Sequence, residues 1–327
     1  MSLRIGYKLC SEERTALELV DDARRAEECG FDFAAISDHF HPWTDTQGES
    51  PFVWSSIGAI AHATERLEIG TAVTCPTGRI HPAIVAQAAA TSATLLPGRF
   101  WLGVGTGENL NEHITGGTWP APSTRRDMLR EAVHVMRRLW SGELVTHAGQ
   151  FFGVDTARLY SLPEHEPRVY VAAGGKASAE LAATIGDGLI TTSPDKQVVH
   201  AFAETGGTGP RIAEMAVSFD QDESKALKNV LRSWPLMGIP GELPTELPLP
   251  RHFEQAAERV RLEDVRDKVV AGADVARYSD RIRVYADAAW TMCSCTRSAE
   301  TKSRSSGSPN ASCSLPSARS SRRRRRT

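Results

Sequence analysis

The sequence predicts an α/β fold, a (β/α)8 TIM barrel in which parallel strands alternate with helices. Short apolar segments typical of buried strands recur from residue 4 onward, and a segment with helical periodicity follows most of them. Alternation of this kind implies parallel strands joined by right-handed crossovers. The chain has 327 residues and 41% hydrophobic content, which is enough for one domain of barrel size. Closure into a barrel is the most economical arrangement of these segments.

Seven strands and most of the intervening helices can be placed by pattern. Strands are predicted at residues 4–9, 31–36, 67–73, 100–105, 168–173, 188–192 and 212–219. Helices are predicted at residues 15–29, 52–64, 82–95, 126–140, from 178 onward, at 253–265 and at 279–289. Residues 142–160 are expected to form a connecting excursion with a hairpin. Together these segments define one domain over residues 1–289.

The segment 235–252 interrupts the alternation. Residues 235–250 of this segment, PLMGIPGELPTELPLP, are too irregular for a helix and too apolar for a solvated linker. We expect an ordered insertion near the barrel mouth that acts as a lid or a dimer contact. A surface loop without function is the alternative.

Residues 290–327 differ in composition from the rest of the chain. They are rich in Ser and Arg, nearly lack periodic apolar residues, and are expected to be disordered. We hypothesise that this tail is a frameshift product, because a frame shifted by two nucleotides can encode a strand followed by an amphipathic helix. On this hypothesis the eighth strand and eighth helix of the barrel are disrupted.

Charge and hydropathy exclude several classes of protein. The net charge is −2, but the tail carries nine basic residues and one acidic residue, which leaves 29 basic against 39 acidic residues elsewhere. An acidic body argues against nucleic-acid binding, except by the basic tail. No apolar run is long enough to cross a bilayer and residues 1–10 lack the layout of a secretory signal, so a cytoplasmic protein is expected. Six scattered cysteines predict neither disulfides nor a metal site.

The stretch FDFAAISDHFHPW, residues 31–43, runs from a strand into acidic and aromatic residues. A simple cap made by the Asp38–His39 pair is one interpretation. However, polar residues or glycines also follow four other predicted strands, and the carboxyl ends of barrel strands meet at one mouth, where active sites lie. One site is therefore predicted from Asp38, His39, Thr74, Glu108, Asn111, Gly174, Gly175, Thr192 and Ser193.

Two of these residues are candidates for acid–base chemistry. Histidine titrates near neutral pH, so His39 suits the removal of a hydroxyl proton as hydride leaves carbon. Glu108 follows a Gly-Thr-Gly turn, where a carboxylate can lie over a flat ring or can simply be solvated. The pair is a candidate base and acid for a redox reaction.

Several sequence blocks carry a family resemblance. They are SDHFHPW, TAVTCPT, HPAIVAQAAAT, PGRFWLGVGTGENLNEH and VYVAAGG with GDGLITTS. In these blocks the chain resembles the F420-dependent glucose-6-phosphate dehydrogenase family, within the luciferase-like barrel superfamily. The similarity is nearly continuous from Ile5 to about Ser224 and weaker to Ala289. No Rossmann fingerprint with its downstream acid follows a strand, which counts against NAD.

The resemblance implies coenzyme F420 as hydride acceptor, a homodimer, and roles for individual residues. It implies that His39 takes the hydroxyl proton and that Trp43 lies beside the reacting centre. It implies that Glu108 protonates the reduced cofactor and that Glu12 is a further active-site carboxylate.

The resemblance also implies a set of cofactor contacts. A non-proline cis peptide bond is implied between Ala72 and Val73. The implied cofactor-contacting positions are Asp38, Ala72, Val73, Thr74, Gly107, Asn111, Gly174, Gly175 and Thr192.

The substrate side departs from the family pattern. The family's glucose-6-phosphate enzymes hold the phosphate with two lysines and an arginine, and a phosphate dianion needs such donors. The first lysine position is Asp195, next to Lys196, and the second falls in 235–251, which contains Arg251 but no lysine. The arginine position falls near Lys268. These three cations are the candidate substrate residues, and another alcohol, secondary or lipid-like, is expected in preference to a sugar phosphate.

The function predicted from these observations is an F420-dependent dehydrogenase that acts on CH–OH donors, either alcohols or sugars. An FMN-dependent luciferase-like monooxygenase is one alternative, because it shares the barrel. A non-enzymatic remnant with a basic tail is the other, because loss of one strand would leave two unpaired edges.

Overall fold

The strands of the predicted barrel are present and parallel. The computed structural model describes residues 3–288, residue 290 and the backbone of residues 292–298. The strands are β1 (Arg4–Leu9), β2 (Phe33–Ile36), β3 (Glu68–Thr71), β4 (Phe100–Val104), β5 (Val145–Ala148), β6 (Gly153–Ala157), β7 (Arg168–Ala172), β8 (Gly188–Thr191), β9 (Arg211–Ser218), β10 (Val269–Ala271) and β11 (Met292–Ser298). In the described part of the chain, eight of them close a barrel in the order β1, β2, β3, β4, β7, β8, β9, β11 and back to β1.

Helices follow most of these strands. They are α1 (Ala16–Glu28), α2 (Val53–Ala63), α3 (Pro82–Leu95), α4 (Asn109–Glu112), α5 (Pro122–Trp140), α6 (Lys176–Ile185), α7 (Lys196–Glu204), α8 (Glu223–Ser233), α9 (Leu243–Glu246), α10 (Pro250–Ala257), α11 (Leu262–Arg266) and α12 (Val275–Asp287). Capping residues and prolines in the sequence explain where some of these helices begin. Thr15 and Glu18 form a capping box at the start of α1, and α3 has a proline at its first position.

Large aromatic side chains fill the barrel interior where small residues leave room. An added Cβ at Gly6 would lie 2.3 Å from the Phe33 ring, and one at Gly70 would lie 2.0 Å from the Trp101 ring. The Trp101 and Tyr170 rings pack with centroids 5.2 Å apart. This alternation of large and small residues is how an eight-stranded barrel fills its interior. A second, larger core lies between the strands and the surrounding helices.

The expected disruption of the eighth strand is not what the structure shows. The backbone of β11 pairs in parallel with β1 over residues 292–295 and with β9 over residues 292–298. A strand between two others gains backbone hydrogen bonds on both sides, and these do not depend on a periodic apolar pattern. The disordered-tail prediction for residues after 298, and the fate of the eighth helix, fall outside the described residues.

The structure refines other predictions as well. The excursion at 142–160 contains the predicted hairpin, since β5 and β6 pair antiparallel. The predicted helix 253–265 is two helices, α10 and α11. The insertion at 235–252 is partly helical, with a 3-10 turn at Pro235–Gly238 and then α9, so the expectation of no helix there was wrong. The short strand β10, which pairs with the end of β9, was not predicted.

Candidate active site

His39 lies just beyond the end of β2 and contacts several predicted site residues. Its Nε2 is 3.5 Å from Oε1 of Glu12, in the turn after β1. Its Nδ1 is 3.1 Å from Nδ2 of Asn111, which belongs to α4. The Trp43 indole packs against the imidazole with ring centroids 4.9 Å apart. We call these four residues the His39 cluster; the predictions that placed them in one site came from three separate stretches of sequence.

Glu12 is buried and is held as a carboxylate by its neighbours. The Ser37 hydroxyl donates to Oε2 of Glu12 at 2.5 Å, and Ser37 also accepts from the Ser11 backbone N–H at 3.0 Å. Burial acts to raise the pKa of Glu12, but His39, the Ser37 hydrogen bond and Lys8 outweigh it, so the pKa lies below its ordinary value. An ionised carboxylate facing the imidazole is thus the state that this environment favours.

Asp38 and Thr74, both predicted to contact the cofactor, are bound to each other below the mouth. The Thr74 hydroxyl donates to Oδ2 of Asp38 at 2.7 Å. The Arg79 guanidinium donates to Oδ1 at 2.8 Å, and the Asp38 side chain has no exposed area. Both carboxylate oxygens therefore have partners within the chain, and Asp38 helps to fix the loop that carries Thr74 and Arg79.

The peptide bond between Ala72 and Val73 is cis, as the resemblance implies. Both residues are half-buried at the end of β3. The buried Lys8 ammonium donates to the Ala72 carbonyl oxygen at 2.8 Å and pairs with Oε1 of Glu214 at 2.8 Å. Burial acts to lower the pKa of Lys8, but Glu214 outweighs it and the pKa is raised. A charged pair inside the barrel thus supports the Ala72–Val73 segment.

Glu108 precedes α4 and is half-exposed. Within the described residues its carboxylate makes no hydrogen bond or ion pair, so it is available to a bound molecule. Gly107 before it has φ of 76°, and an added Cβ there would lie 2.6 Å from Sγ of Cys75, so this turn requires glycine. Glu112 lies beneath the turn, and its Oε2 accepts from the Arg79 backbone N–H at 2.6 Å.

Gly174, Gly175 and Thr192 lie at the ends of β7 and β8. An added Cβ at either glycine would meet no atom within 4 Å. Thr192 is exposed directly after β8. Because β7 is next to β4 and β8 is next to β7 in the barrel, these positions border the same mouth as Glu108.

The insertion 235–252 and α10 form a wall beside Trp43. Phe253 packs edge-on against the Trp43 indole with ring centroids 5.2 Å apart, and Ile239 and Leu110 complete this buried cluster. Glu246 of α9 accepts from the Trp119 indole N–H at 3.0 Å and pairs with Arg125 at 3.2 Å. The wall is apolar toward the His39 cluster and anchored by polar contacts elsewhere.

The three candidate substrate cations are not brought together. Lys196 and Arg251 are exposed at the starts of α7 and α10. The Lys268 ammonium donates to the Met237 carbonyl oxygen at 2.6 Å. Within the described residues none of the three contacts another or the His39 cluster through a hydrogen bond or ion pair. Asp195, at the position where the family resemblance implies a lysine, caps α7 by accepting from the Gln197 N–H.

Sequence reasoning missed several residues that support the site. Lys8 carried a signal, since a lysine inside an otherwise apolar strand needs a buried partner. Ser37 lies beside Asp38 and could have been included on position alone. Arg79 and Glu112 carried no such signal, because only the fold shows that they lie under the mouth.

The residues around the mouth fit a flat heterocycle. Val73, Thr106 and Gly107 are half-exposed at the ends of β3 and β4, and open space lies beside Gly174 and Gly175. Glu108 supplies a carboxylate without a partner in the described chain. A planar ring with a polar edge would find a glycine-rich, closely approachable surface there.

A closed parallel barrel with acid–base residues gathered at its carboxyl-end mouth defines a (β/α)8-barrel enzyme. Within that class, the chain belongs to the luciferase-like monooxygenase family, whose model matches residues 4–292. The chain is 39% identical over 301 residues to an F420-dependent glucose-6-phosphate dehydrogenase of Nocardia farcinica, covering 88% of this chain and 89% of the relative. It is 38% identical to the enzyme of that name from Mycolicibacterium gilvum, over 87% of this chain and 89% of the relative.

The solved structures give the same picture. An F420-dependent secondary alcohol dehydrogenase in complex with an F420–acetone adduct has a TM-score of 0.86 and 31% identity, covering 91% of this chain and 94% of its own. The coenzyme F420-dependent tetrahydromethanopterin reductase of Methanopyrus kandleri has a TM-score of 0.73 at 18% identity and supports the fold alone. The predicted family resemblance and the barrel are confirmed.

The described residues lack two features, a metal-binding cluster and a membrane-spanning helix. They contain no group of three or more His, Cys, Asp or Glu side chains arranged to hold a metal ion. No helix among them has both the length and the apolar character needed to cross a membrane.

Proposed function

We propose that this chain is an F420-dependent oxidoreductase that removes hydride from a hydroxyl-bearing carbon. The observation that carries the proposal is the His39 cluster, which places an imidazole between a buried carboxylate and an indole at the barrel mouth. The dehydrogenases that the chain resembles support the cofactor and the CH–OH donor. When bound, F420 supplies the acceptor for the hydride.

His39 and Glu12 handle the hydroxyl proton in this proposal. Loss of hydride turns the alcohol carbon into a carbonyl, and the hydroxyl proton must leave at the same time. His39 takes that proton, and the adjacent Glu12 carboxylate stabilises the resulting positive charge. Trp43 covers the other side of the ring and excludes water from it.

Glu108 and the strand ends serve the cofactor side. Glu108 would face a bound cofactor ring, since its carboxyl group has no partner in the described chain, and could hold the proton that the reduced ring requires. Asp38, Thr74 and Asn111 fix the loops around that ring, together with the supported Ala72–Val73 segment. Gly174 and Gly175 offer backbone that a ring can approach closely, and Gly107 and Thr192 border the same mouth.

The substrate in this proposal is an uncharged alcohol. A phosphate dianion needs converging cations, and Lys196, Arg251 and Lys268 do not converge. The wall beside Trp43 carries the half-buried Leu236 and Leu247 over the buried Phe253 and Ile239, which favours an apolar substituent on the carbinol carbon. Glucose 6-phosphate is therefore expected to be a poor substrate.

A homodimer and a cytoplasmic location complete the proposal. Phe52, Ile84 and Leu95 are each at least half exposed and line one groove between α2 and α3. Exposed apolar surface of this kind supports association with a second copy. Ile84→Glu is expected to shift the protein from dimer to monomer in light scattering, and a wild-type monomer would contradict the dimer.

Cofactor choice gives the test of the proposed function. The purified chain is titrated separately with F420 and with FMN while cofactor fluorescence is followed, and turnover is measured with a secondary alcohol. Saturable binding of F420 and alcohol-dependent loss of its oxidised absorbance are expected. Tight FMN binding with no response to F420 would favour the monooxygenase alternative.

A further inference from the structure

The amide orientation of Asn111 is fixed by backbone groups. Asn111 is buried, and its Oδ1 accepts from the backbone N–H of Phe40 at 2.9 Å and of His41 at 3.2 Å. Because a backbone N–H can only donate, the atom facing it must be the amide oxygen. The NH2 group of Asn111 is therefore the group that lies 3.1 Å from Nδ1 of His39.

Nδ1 of His39 has two neighbours with opposite requirements. The Asn111 NH2 can only donate, so it requires a lone pair on Nδ1. The His41 carbonyl oxygen, 3.2 Å away, can only accept, so it requires a proton there. A neutral imidazole has one proton and can satisfy only one of them.

Glu12 decides between the two tautomers. With the proton on Nε2, the ring accepts from Asn111 and faces the Glu12 carboxylate with an N–H. With the proton on Nδ1, the ring donates to the His41 carbonyl oxygen and satisfies that partner alone. Its Nε2 lone pair then faces the Glu12 carboxylate, and its Nδ1–H faces the Asn111 NH2 group. The first tautomer satisfies more partners, one of them charged.

We infer that Asn111 is a positioning residue that holds neutral His39 with its proton on Nε2. The inference rests on the proposed function, because it matters only if His39 accepts the hydroxyl proton. In this tautomer the basic lone pair of His39 is on Nδ1, so a hydroxyl group that gives its proton to the ring must replace the Asn111 NH2 group there. The resulting imidazolium keeps its Nε2 proton facing the Glu12 carboxylate, and Asn111 therefore controls access to the one basic nitrogen of the neutral ring.

An Asn111→Asp variant separates this role from simple anchoring of the loop. One carboxylate oxygen of the variant can still accept from the backbone N–H groups of Phe40 and His41. The other faces Nδ1 of His39 and can only accept, so the proton is expected to move to Nδ1. Asn109→Asp is the matched control, because Asn109 donates to the Glu246 carbonyl oxygen and does not contact His39.

The readout is the proton position on His39 in the cofactor-free protein. Histidine-labelled protein is examined by two-bond 1H–15N correlation at a pH where the ring is neutral, and His39 is assigned by its loss in His39→Gln. Wild type and Asn109→Asp are expected to show an unprotonated Nδ1 and a protonated Nε2, and Asn111→Asp the reverse.

The spectra can overturn the inference in three ways. A protonated Nδ1 in the wild type would contradict it even if the variants fail to fold. An unchanged ring in a folded Asn111→Asp variant would contradict it as well. An equal change of proton position in Asn109→Asp would contradict it too, because the added negative charge and not the contact with His39 would then move the proton. None of these results depends on turnover, so the inference and the proposed function can fail separately.

Discussion

The two sides of the barrel mouth are built differently. On the side of β2 and β3, polar groups are buried and each has partners on other elements, as Asp38 has in Thr74 and Arg79. On the side of the insertion the wall is apolar, and Lys196 and Arg251 are exposed on helix surfaces. On the proposed function, proton chemistry would depend on preorganised polar groups, whereas substrate selection would depend on apolar contact.

The largest expected effect lies in the His39 cluster. His39→Ala removes the group proposed to take the hydroxyl proton, so kcat is expected to fall by about 10²- to 10⁴-fold. F420 affinity, measured by fluorescence titration, is expected to change little, because His39 is not among the proposed cofactor contacts. His200→Ala is the control, since His200 is exposed on α7 and pairs with Glu204. A kcat within a few-fold of wild type would contradict the role of His39.

The buried pair of Asp38 and Arg79 is expected to give the next effect. Asp38→Asn leaves the Arg79 guanidinium buried without a counter-charge, which destabilises a protein by about 3–5 kcal/mol. Asp280→Asn removes an exposed partner of Arg283 and is expected to change stability by less than about 1 kcal/mol. Urea unfolding of both variants measures the difference, and similar losses would show that burial of the first pair is unimportant.

Glu112 is expected to give a pH-dependent effect of intermediate size. Burial, with help from Glu108 and Asp38, raises its pKa from 4.5 to about 7. Between these two pH values the folded state keeps the proton and the unfolded state releases it, so the stability from this group is full below pH 4.5 and falls as pH rises to 7. The total is at most about 3 kcal/mol.

Glu112→Gln is neutral at every pH and lacks that decline. The unfolding free energy of the variant relative to wild type is therefore expected to rise between pH 5 and pH 8, by at most about 3 kcal/mol. Urea unfolding at the two pH values measures the change. A constant difference would show that the Glu112 proton is not linked to folding.

The smallest effect is expected for the exposed cations. Lys196→Ala is expected to leave kcat/KM for an uncharged alcohol within about twofold of wild type, because exposed side chains without partners contribute little. Initial-rate kinetics with an alcohol and with glucose 6-phosphate measure this. A large loss with the sugar phosphate alone would move Lys196 into the substrate site.

The barrel class and seven of its eight strands could be predicted from the sequence. Short apolar runs such as FWLGV and RVYVA are typical of buried strands, and their alternation with helices indicates parallel pairing. β11 could not be predicted, because MCSCTRS has no apolar period and its pairing depends on the gap between β1 and β9.

The candidate site could be predicted where chemistry lies at strand ends, as with His39 and Glu108. The site could not be predicted where a side chain depends on contacts that form only when the folded chain buries it. Nothing in the sequence shows that Arg79 turns back under Asp38, or that Asn111 faces the His39 ring. Contacts of that kind depend on side-chain direction across separate loops, which spacing along the chain does not encode.

The most direct test is kcat/KM for propan-2-ol against kcat/KM for glucose 6-phosphate, each measured with F420 as acceptor. We expect measurable reduction of F420 by propan-2-ol and at least about tenfold lower kcat/KM for the sugar phosphate, since one bidentate charged contact alone is worth roughly that factor. A preference for glucose 6-phosphate would contradict it, because the phosphate would then need a cation cluster that the described residues do not form.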